Sequence, residues 1–194
     1  MRQTYSENYS NSTSDIIINC FYQLVMNKDF KKLTVSEICE EAGISRKTFY
    51  KYFQDKNDIV EHILIRDIIQ PMNQLRELYS NIKLPPSMIL DWQYQQFYKK
   101  RKFYEQVSAF TGQNSFYEFI MKHTTDIINE RLIHFGLSEI DQDYMAYFYA
   151  SSHTMLLIKW IHDGMILPPQ KMASYYERWT IPVFKDYYKQ EGNK

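Results

Sequence analysis

Apolar and polar positions follow a helical period along most of this chain. Ile17, Phe21, Leu24 and Val25 stand at i, i+4, i+7 and i+8, one face of an amphipathic helix, and predict a first helix that fades by Lys28 or Asp29. Thr34-Val35-Ser36-Glu37 reads as a capping box, in which the Thr hydroxyl accepts the Glu amide proton and the Glu side chain returns to the Thr amide. The helix it opens is short, because Gly43 sits where a left-handed residue stops it after Ala42. Ser45 can cap another helix, Arg46 to about Phe53, and Asp55 with Asp58 a third. That third helix carries Ile59, Val60, Ile63, Leu64, Ile68 and Ile69 and is expected to bend or break at Pro71. Beyond a connector at Asn81 to Ser87, helices are predicted at about 87–100, 102–110, 115–134, 141–163 and 170–190. Gly112, Gly136 and Gly164 mark their ends, Pro168-Pro169 follow the fourth, and Pro182 should kink the last. Residues 1–12 are Ser/Asn-rich with nothing to bury and read as a disordered tail. No alternating Val/Ile/Thr runs bounded by turns are present, so the expected fold is all-α.

Composition narrows the function classes. The 194 residues allow one compact body, or one body with a small module attached. Lys plus Arg is 23 and Asp plus Glu is 23, which argues against a polycation or a polybasic membrane binder, so any nucleic-acid site has to be local. The chain has no apolar run of the roughly 18 residues that a membrane span needs, and its polar start does not read as a secretion signal. Cys20 and Cys39 offer neither a disulfide framework nor a zinc site; they read as small buried thiols rather than a redox pair, and cytoplasm is the expected compartment. No cofactor or metal is expected.

A helix, a Gly-containing turn and a second short helix within twenty residues form the helix-turn-helix arrangement, whose second helix lies in a DNA major groove. The charges agree. Residues 34–44 hold Glu37, Glu40 and Glu41 and no base, whereas residues 45–56 hold Arg46, Lys47, Lys51 and Lys56 against Asp55, giving local balances of −3 and +3. Such polarity turns the second helix toward phosphate and the first away from it. Ser45, Arg46, Lys47 and Thr48 occupy the first turn of that second helix, facing the groove, while Phe49 and Phe53 pack inward. Tyr50, Lys51, Tyr52 and Lys56 are placed for the flanking phosphates.

The segment Thr34-Val-Ser-Glu-Ile-Cys-Glu-Glu-Ala-Gly-Ile-Ser-Arg-Lys-Thr-Phe-Tyr-Lys-Tyr-Phe-Gln-Asp-Lys56 resembles the DNA-binding signature of the TetR/AcrR family of one-component transcriptional regulators, over roughly residues 14–66. It departs at Cys39, where Ala is usual, at Lys47, where Gly is common, and at Tyr52, where His is frequent. The Ser-Arg-Lys-Thr-Phe-Tyr wording, and more loosely Trp160-Ile-His-Asp-Gly-Met with Pro168-Pro169 and Met172-Ala, is similar to a branch that includes regulators of dihydroxyacetone kinase operons. The resemblance implies an all-helical homodimer of about nine helices, with a three-helix DNA-binding domain at 13–66 and an effector-binding and dimerisation domain at 67–194. By position it makes Ser45 to Thr48 base-reading and gives Thr34, Tyr50, Lys51, Tyr52 and Lys56 the DNA backbone.

In the body, helix 141–163 has one apolar row at Ala146, Ala150, His153, Leu157 and Ile161 and another at Phe148 and Met155, with Ser152 between and Lys159 beyond. The last helix offers Met172, Tyr176, Trp179, Val183 and Tyr187. Two sticky faces need two partners, either a symmetry mate in a four-helix dimer interface or neighbours within one subunit. His123, on the row Phe116, Ile120, His123, Ile127, and His153 are each a polar anchor for an effector or a satisfied core histidine. Such a pocket would be lined by Trp92, Phe97, Phe103, Tyr104, Phe110, Tyr147 and Trp160. Three functions compete. The first is a regulator of a pseudo-palindromic double-stranded DNA operator, a repressor released by a small-molecule effector. The second is the same regulator under a protein co-regulator, and the third an α-helical enzyme using His153, His162 and Asp163.

Overall fold

The computed structural model describes residues 12–78, 86–109, 115–176 and 178–179, and every regular element among them is helical. The expected tail to residue 11, the 81–85 connector, Phe110, Gly112, Pro182, Val183 and Tyr187 lie outside the described residues. Ser12 belongs to the fold instead of the tail: its hydroxyl accepts the Asp15 amide proton at 3.2 Å and caps α1, Thr13–Asn27. A 3-10 turn at Phe30–Lys32 leads into α2, Val35–Glu41, and α3, Arg46–Phe49. Then come α4, Lys56–Leu64, and α5, Gln70–Leu78, joined by a π-helical segment at Ile65–Ile69. The body consists of α6, Pro86–Lys99, α7, Arg101–Ser108, α8, Phe116–Leu132, and α9, Glu139–His162. Residues 169–176 and 178–179 are again helical.

Local chemistry accounts for most of these boundaries. Ser45, Asp55, Ser115 and Ser138 each accept an amide proton two or three residues ahead, at the starts of α3, α4, α8 and α9. Helices α2 and α9 end the same way. Gly43 at φ +64° donates to the Glu40 carbonyl while Ile44 donates to that of Cys39. Gly164 at φ +74° donates to Ile161 while Met165 donates to Trp160. Each pair is a Schellman closure, which satisfies two terminal carbonyls and requires a left-handed residue that glycine adopts without strain.

Pro71 does not break its helix. Proline has no N–H and its ring crowds the carbonyl four residues back, here that of Asp67. The backbone widens just ahead of it into the π segment, where Gln70 donates to the Ile65 carbonyl, and the helix runs on to Leu78.

One hydrophobic core runs from the first helices into the body. Ile17, Phe21, Phe49 and Ile59 belong to the same buried cluster as Phe97, Phe103, Leu157 and Trp160. The joint is aromatic: the Tyr22 ring stacks on Phe103 at 5.0 Å between centroids, and Phe21 meets Phe103 edge-on at 6.3 Å. Helices α8 and α9 pack along each other, and a smaller cluster of Ile128, Leu132, Phe135, Ala146, Tyr149 and Ala150 closes their far end. The two rows read on α9 separate as its periodicity requires: Ala146, Ala150, His153, Leu157 and Ile161 are buried, and Phe148 and Met155 are exposed.

Candidate nucleic-acid interface

The two short helices are held in place by bonds between close neighbours. The Thr34 amide donates to Glu37 Oε2 at 2.8 Å and the Glu37 amide to Thr34 Oγ1 at 3.3 Å, completing the capping box. Lys28 Nζ lies 2.9 Å from Glu37 Oε1. Bonds from Lys28 and from the Thr34 backbone hold the Glu37 carboxyl down to about 2. Phe49 and Phe53, fully buried, seat α3 on the module with their rings 5.9 Å apart.

On the outer side of α3 the candidate residues differ in what they hold. The Thr48 amide donates to Ser45 Oγ at 3.1 Å, which caps the helix, and the two hydroxyls lie 2.9 Å apart. Arg46 Nη2 donates to the Ser36 hydroxyl on α2. The Lys47 side chain is exposed and makes neither an ion pair nor a hydrogen bond among the described residues, and the same holds for the Lys51 side chain. Tyr50 and Tyr52 are exposed in the turn that follows α3, which stops as an α-helix at Phe49, short of the expected Phe53. Its chain continues through bonds from Lys51 to Thr48 and from Tyr52 to Phe49, one residue tighter than an α-helix.

Lys56 departs from its expected role at phosphate. Its Nζ donates to the carbonyls of Phe30, Lys31 and Leu33 at 2.7, 3.2 and 2.8 Å, and stands 4.6 Å from the centre of the Phe30 ring. All three ammonium protons are thereby used to close the turn between α1 and α2. Burial pulls its pKa down, against the attraction of Asp29.

In the body the expected pocket residues fall into separate places. Phe97, Phe103, Tyr104, Phe116 and Ile120 are buried in the core, where Phe97 meets Tyr104 at 4.7 Å and Phe116 at 6.2 Å. Trp92 packs partly buried on the same cluster. His123 is half-buried against the Phe119 ring at 4.3 Å, and burial lowers its pKa. Tyr147 does not join them: it is 60% exposed, on the outer face of α9, because that face begins one residue past Ala146. His153 and Trp160 both lean on Tyr94, at 6.2 and 5.3 Å, and the Trp160 indole donates to the Leu167 carbonyl at 2.9 Å. Of the three residues suggested for an enzyme, His153 is buried, His162 Nε2 faces the Ser108 carbonyl at 3.3 Å and Asp163 pairs with Lys159 at 2.9 Å.

Two features go beyond the sequence reading, which names only His153 among their residues. Tyr94 OH, His153 Nδ1 and Thr154 Oγ1 are buried with no hydrogen-bond partner among the described residues, where buried polar atoms are ordinarily paired. Burial alone brings His153 down to about 4, and burial first, with Tyr176 second, sends Tyr94 well up. The other feature is Asp67, inside the π segment and only 18% exposed, bonded by Arg66 Nε at 2.8 Å and by Lys100 Nζ at 2.5 Å. Burial pushes its carboxyl up, and the Arg66 and Lys100 hydrogen bonds overcome that and hold it below the usual range. A carboxylate among Leu64, Ile65, Ile68 and Ile69 was the available signal, since a charge on an apolar stretch needs a cation elsewhere. The pair ties the helix leaving the DNA module to the turn between α6 and α7.

Comparison with known proteins agrees with this geometry. Residues 22–63 match the family model described as bacterial regulatory proteins, tetR family, and residues 89–180 match one described as a transcriptional regulator C-terminal region. An uncharacterized HTH-type transcriptional regulator of Bacillus subtilis strain 168, YxbF, is 22% identical over 178 residues, 85% of this chain and 43% of that protein. The dhaKLM operon transcriptional activator DhaS of Lactococcus lactis is 32% identical over 67 residues, 34% of this chain and 36% of that protein. The chain thus spans less than half the length of these two relatives. A solved structure described as dihydroxyacetone kinase operon activator DhaS superposes with a TM-score of 0.63 at 19% identity, covering 91% of this chain and 98% of that one. With a helix-turn-helix presenting cations on one side and a helical body of the matching model behind it, the chain belongs to the TetR family of bacterial transcriptional regulators.

Proposed function

We propose that this chain acts as a homodimeric repressor in the cytoplasm, bound to a pseudo-palindromic operator and released when a small molecule enters the body. The observation that carries the DNA reading is the polarity of the helix-turn-helix: Lys47, Lys51, Tyr50 and Tyr52 are exposed on and after α3, while Glu37, Glu40 and Glu41 stay on α2. Dimerisation is supported by the exposed apolar residues Ile140, Tyr144, Tyr147, Phe148 and Met155 on α9, more than a monomer's helix leaves to water. No described helix is long and apolar enough to cross a membrane.

The effector reading rests on Tyr94, His153 and Thr154, whose buried polar atoms between α6 and α9 suit an uncharged ligand that donates and accepts hydrogen bonds. Its coupling to DNA would run through Lys100 and Asp67 into the π segment, if the ligand binds one arrangement better than the other. The match to an operon activator favours a second reading, in which the same DNA-binding dimer activates under a protein co-regulator.

Selection of bound duplexes from a random pool, with sedimentation of the enriched complex, tests the proposal. Enrichment of an inverted repeat bound by two chains is expected; no enriched sequence would end the DNA-binding reading. Release of that duplex by a metabolite extract passed through a protein-excluding filter separates the two effector readings.

A further inference from the structure

We propose that the turn between α6 and α7, together with the turn ahead of α2, forms a basic flank that holds DNA backbone phosphates outside the stretch read by α3, so that the body is itself part of the nucleic-acid interface. This rests on the DNA-binding reading above.

Lys99-Lys100-Arg101-Lys102 are four successive cations in a chain whose net charge is zero. Lys100 is held by Asp67. Lys99, Arg101 and Lys102 are exposed and make no ion pair among the described residues; Lys99 donates only to the neutral Gln96 amide oxygen, at 3.3 Å. No acid stands in the first turn of α7 to offset them.

Their position relative to the DNA module is fixed by three contacts. Tyr22 of α1 stacks on Phe103 of α7, Lys100 Nζ lies 5.6 Å from the centre of the Tyr22 ring, and the Phe30 amide points at Gln106 Oε1 at 3.5 Å. Gln106 is one helical turn beyond Lys102, about 6 Å along the axis. Lys102 therefore stands close to the 3-10 turn that carries Lys31 and Lys32, both exposed and without an ion pair among the described residues. That turn leads directly to Thr34, the cap of α2, and Lys56 clamps it to the start of α4. The cations of the body and those of the module thus stand on elements that meet at the same joint.

Between α1 and the basic turn lies an open groove of about 220 Å³, with Tyr22, Met26 and Tyr98 among its walls and the four cations beside them. A pocket built for a small anion would close its cations around one point. Here they are spread over two elements on an open surface, as a polyanion such as a nucleic-acid backbone requires.

The test uses the full chain and the duplex enriched by selection, in one form trimmed to its two half-sites and in another extended by ten base pairs at each end. Affinity for both is measured by fluorescence anisotropy over a salt series. The wild type should bind the extended duplex several-fold more tightly and with a steeper salt dependence. Lys99→Ala/Arg101→Ala/Lys102→Ala, with Lys100 kept for Asp67, should lose that preference and flatten the slope by about 2 to 5 for the two chains together, at about 0.9 per phosphate contact, while binding the trimmed duplex within twofold of the wild type. Lys31→Ala/Lys32→Ala, a second variant away from the body, should move the same way. An unchanged preference in both variants overturns the inference, as does an equal loss on both duplexes. A wild type that binds neither duplex fails the DNA-binding reading itself, a result that no flank variant can mimic.

Discussion

In the helix-turn-helix module, the side chains that start the helices close their bonds within three residues, Thr34 with Glu37, Ser45 with Thr48, Asp55 with Asn57 and Asp58, and Lys56 reaches back to three carbonyls of the turn ahead of α2. In the body, Tyr94, His153 and Thr154 are buried with polar atoms that no described residue meets, and the charge that matters most, Asp67, finds Lys100 thirty-three residues away. The module is held by completed polar contacts, the helix caps among them local, and presents exposed cations. The body keeps unmet polarity inside a large aromatic core. The proposed regulator would use both, one end presenting a surface to DNA and the other taking up an effector.

The largest expected effect concerns His153. Its pKa is about 4 in the folded chain through burial and about 6.5 when unfolded. Between those values the unfolded chain binds a proton that the native chain refuses, so this contribution is complete above pH 6.5 and is lost as pH falls toward 4. The loss is roughly 3 kcal/mol across that window. Urea unfolding of the wild type and His153→Leu at pH 7.5, 6.0 and 4.5 should show a shallower decline in the variant. Parallel declines would mean that the ring is solvated.

Lys56 tests the module. Lys56→Met should lower stability by about 2 kcal/mol, because three carbonyls lose a charged donor, and should leave the salt dependence of DNA binding unchanged. A flattened salt slope at unchanged stability would return Lys56 to phosphate. Smaller still, Thr34→Ala should cost about 1 kcal/mol by removing the cap of α2, read as a lower urea midpoint at constant slope. A loss above about 3 kcal/mol would show that the capping box supports more than its own helix.

The same contrast explains what was legible in the sequence. Helix starts and stops at Thr34, Gly43, Ser45, Asp55 and Gly164 were readable because each depends on one residue and its neighbours within three or four positions. The two apolar rows of α9 follow from periodicity, but that Phe148 and Met155 find no cover within the subunit needs the fold. Tyr147 was misplaced because a pocket was assembled from residue type, whereas its position one step past Ala146 turns it outward. Lys56 was assigned by charge, yet three carbonyls of a preceding turn, twenty-three to twenty-six residues back, take its protons. At Pro71 the sequence predicts a bend or a break without choosing, because the π widening that accommodates the proline is a property of the folded backbone.

The central claim is that α3 reads bases while its surroundings hold phosphate, and Lys47 tests it most directly. It is exposed and its side chain is uncommitted, whereas Arg46 is bonded to Ser36, Ser45 caps the helix and the Thr48 hydroxyl lies against that of Ser45. Binding of the wild type, Lys47→Ala and Arg46→Ala should be measured at one fixed salt concentration, on the selected duplex and on a scrambled duplex of the same composition. Lys47→Ala should lose about 1 to 3 kcal/mol on the selected duplex and much less on the scrambled one, because a phosphate contact is shared by both and a base contact is not. Arg46→Ala should lose less on the selected duplex. Equal losses on the two duplexes for Lys47→Ala would contradict the account and make α3 a backbone contact.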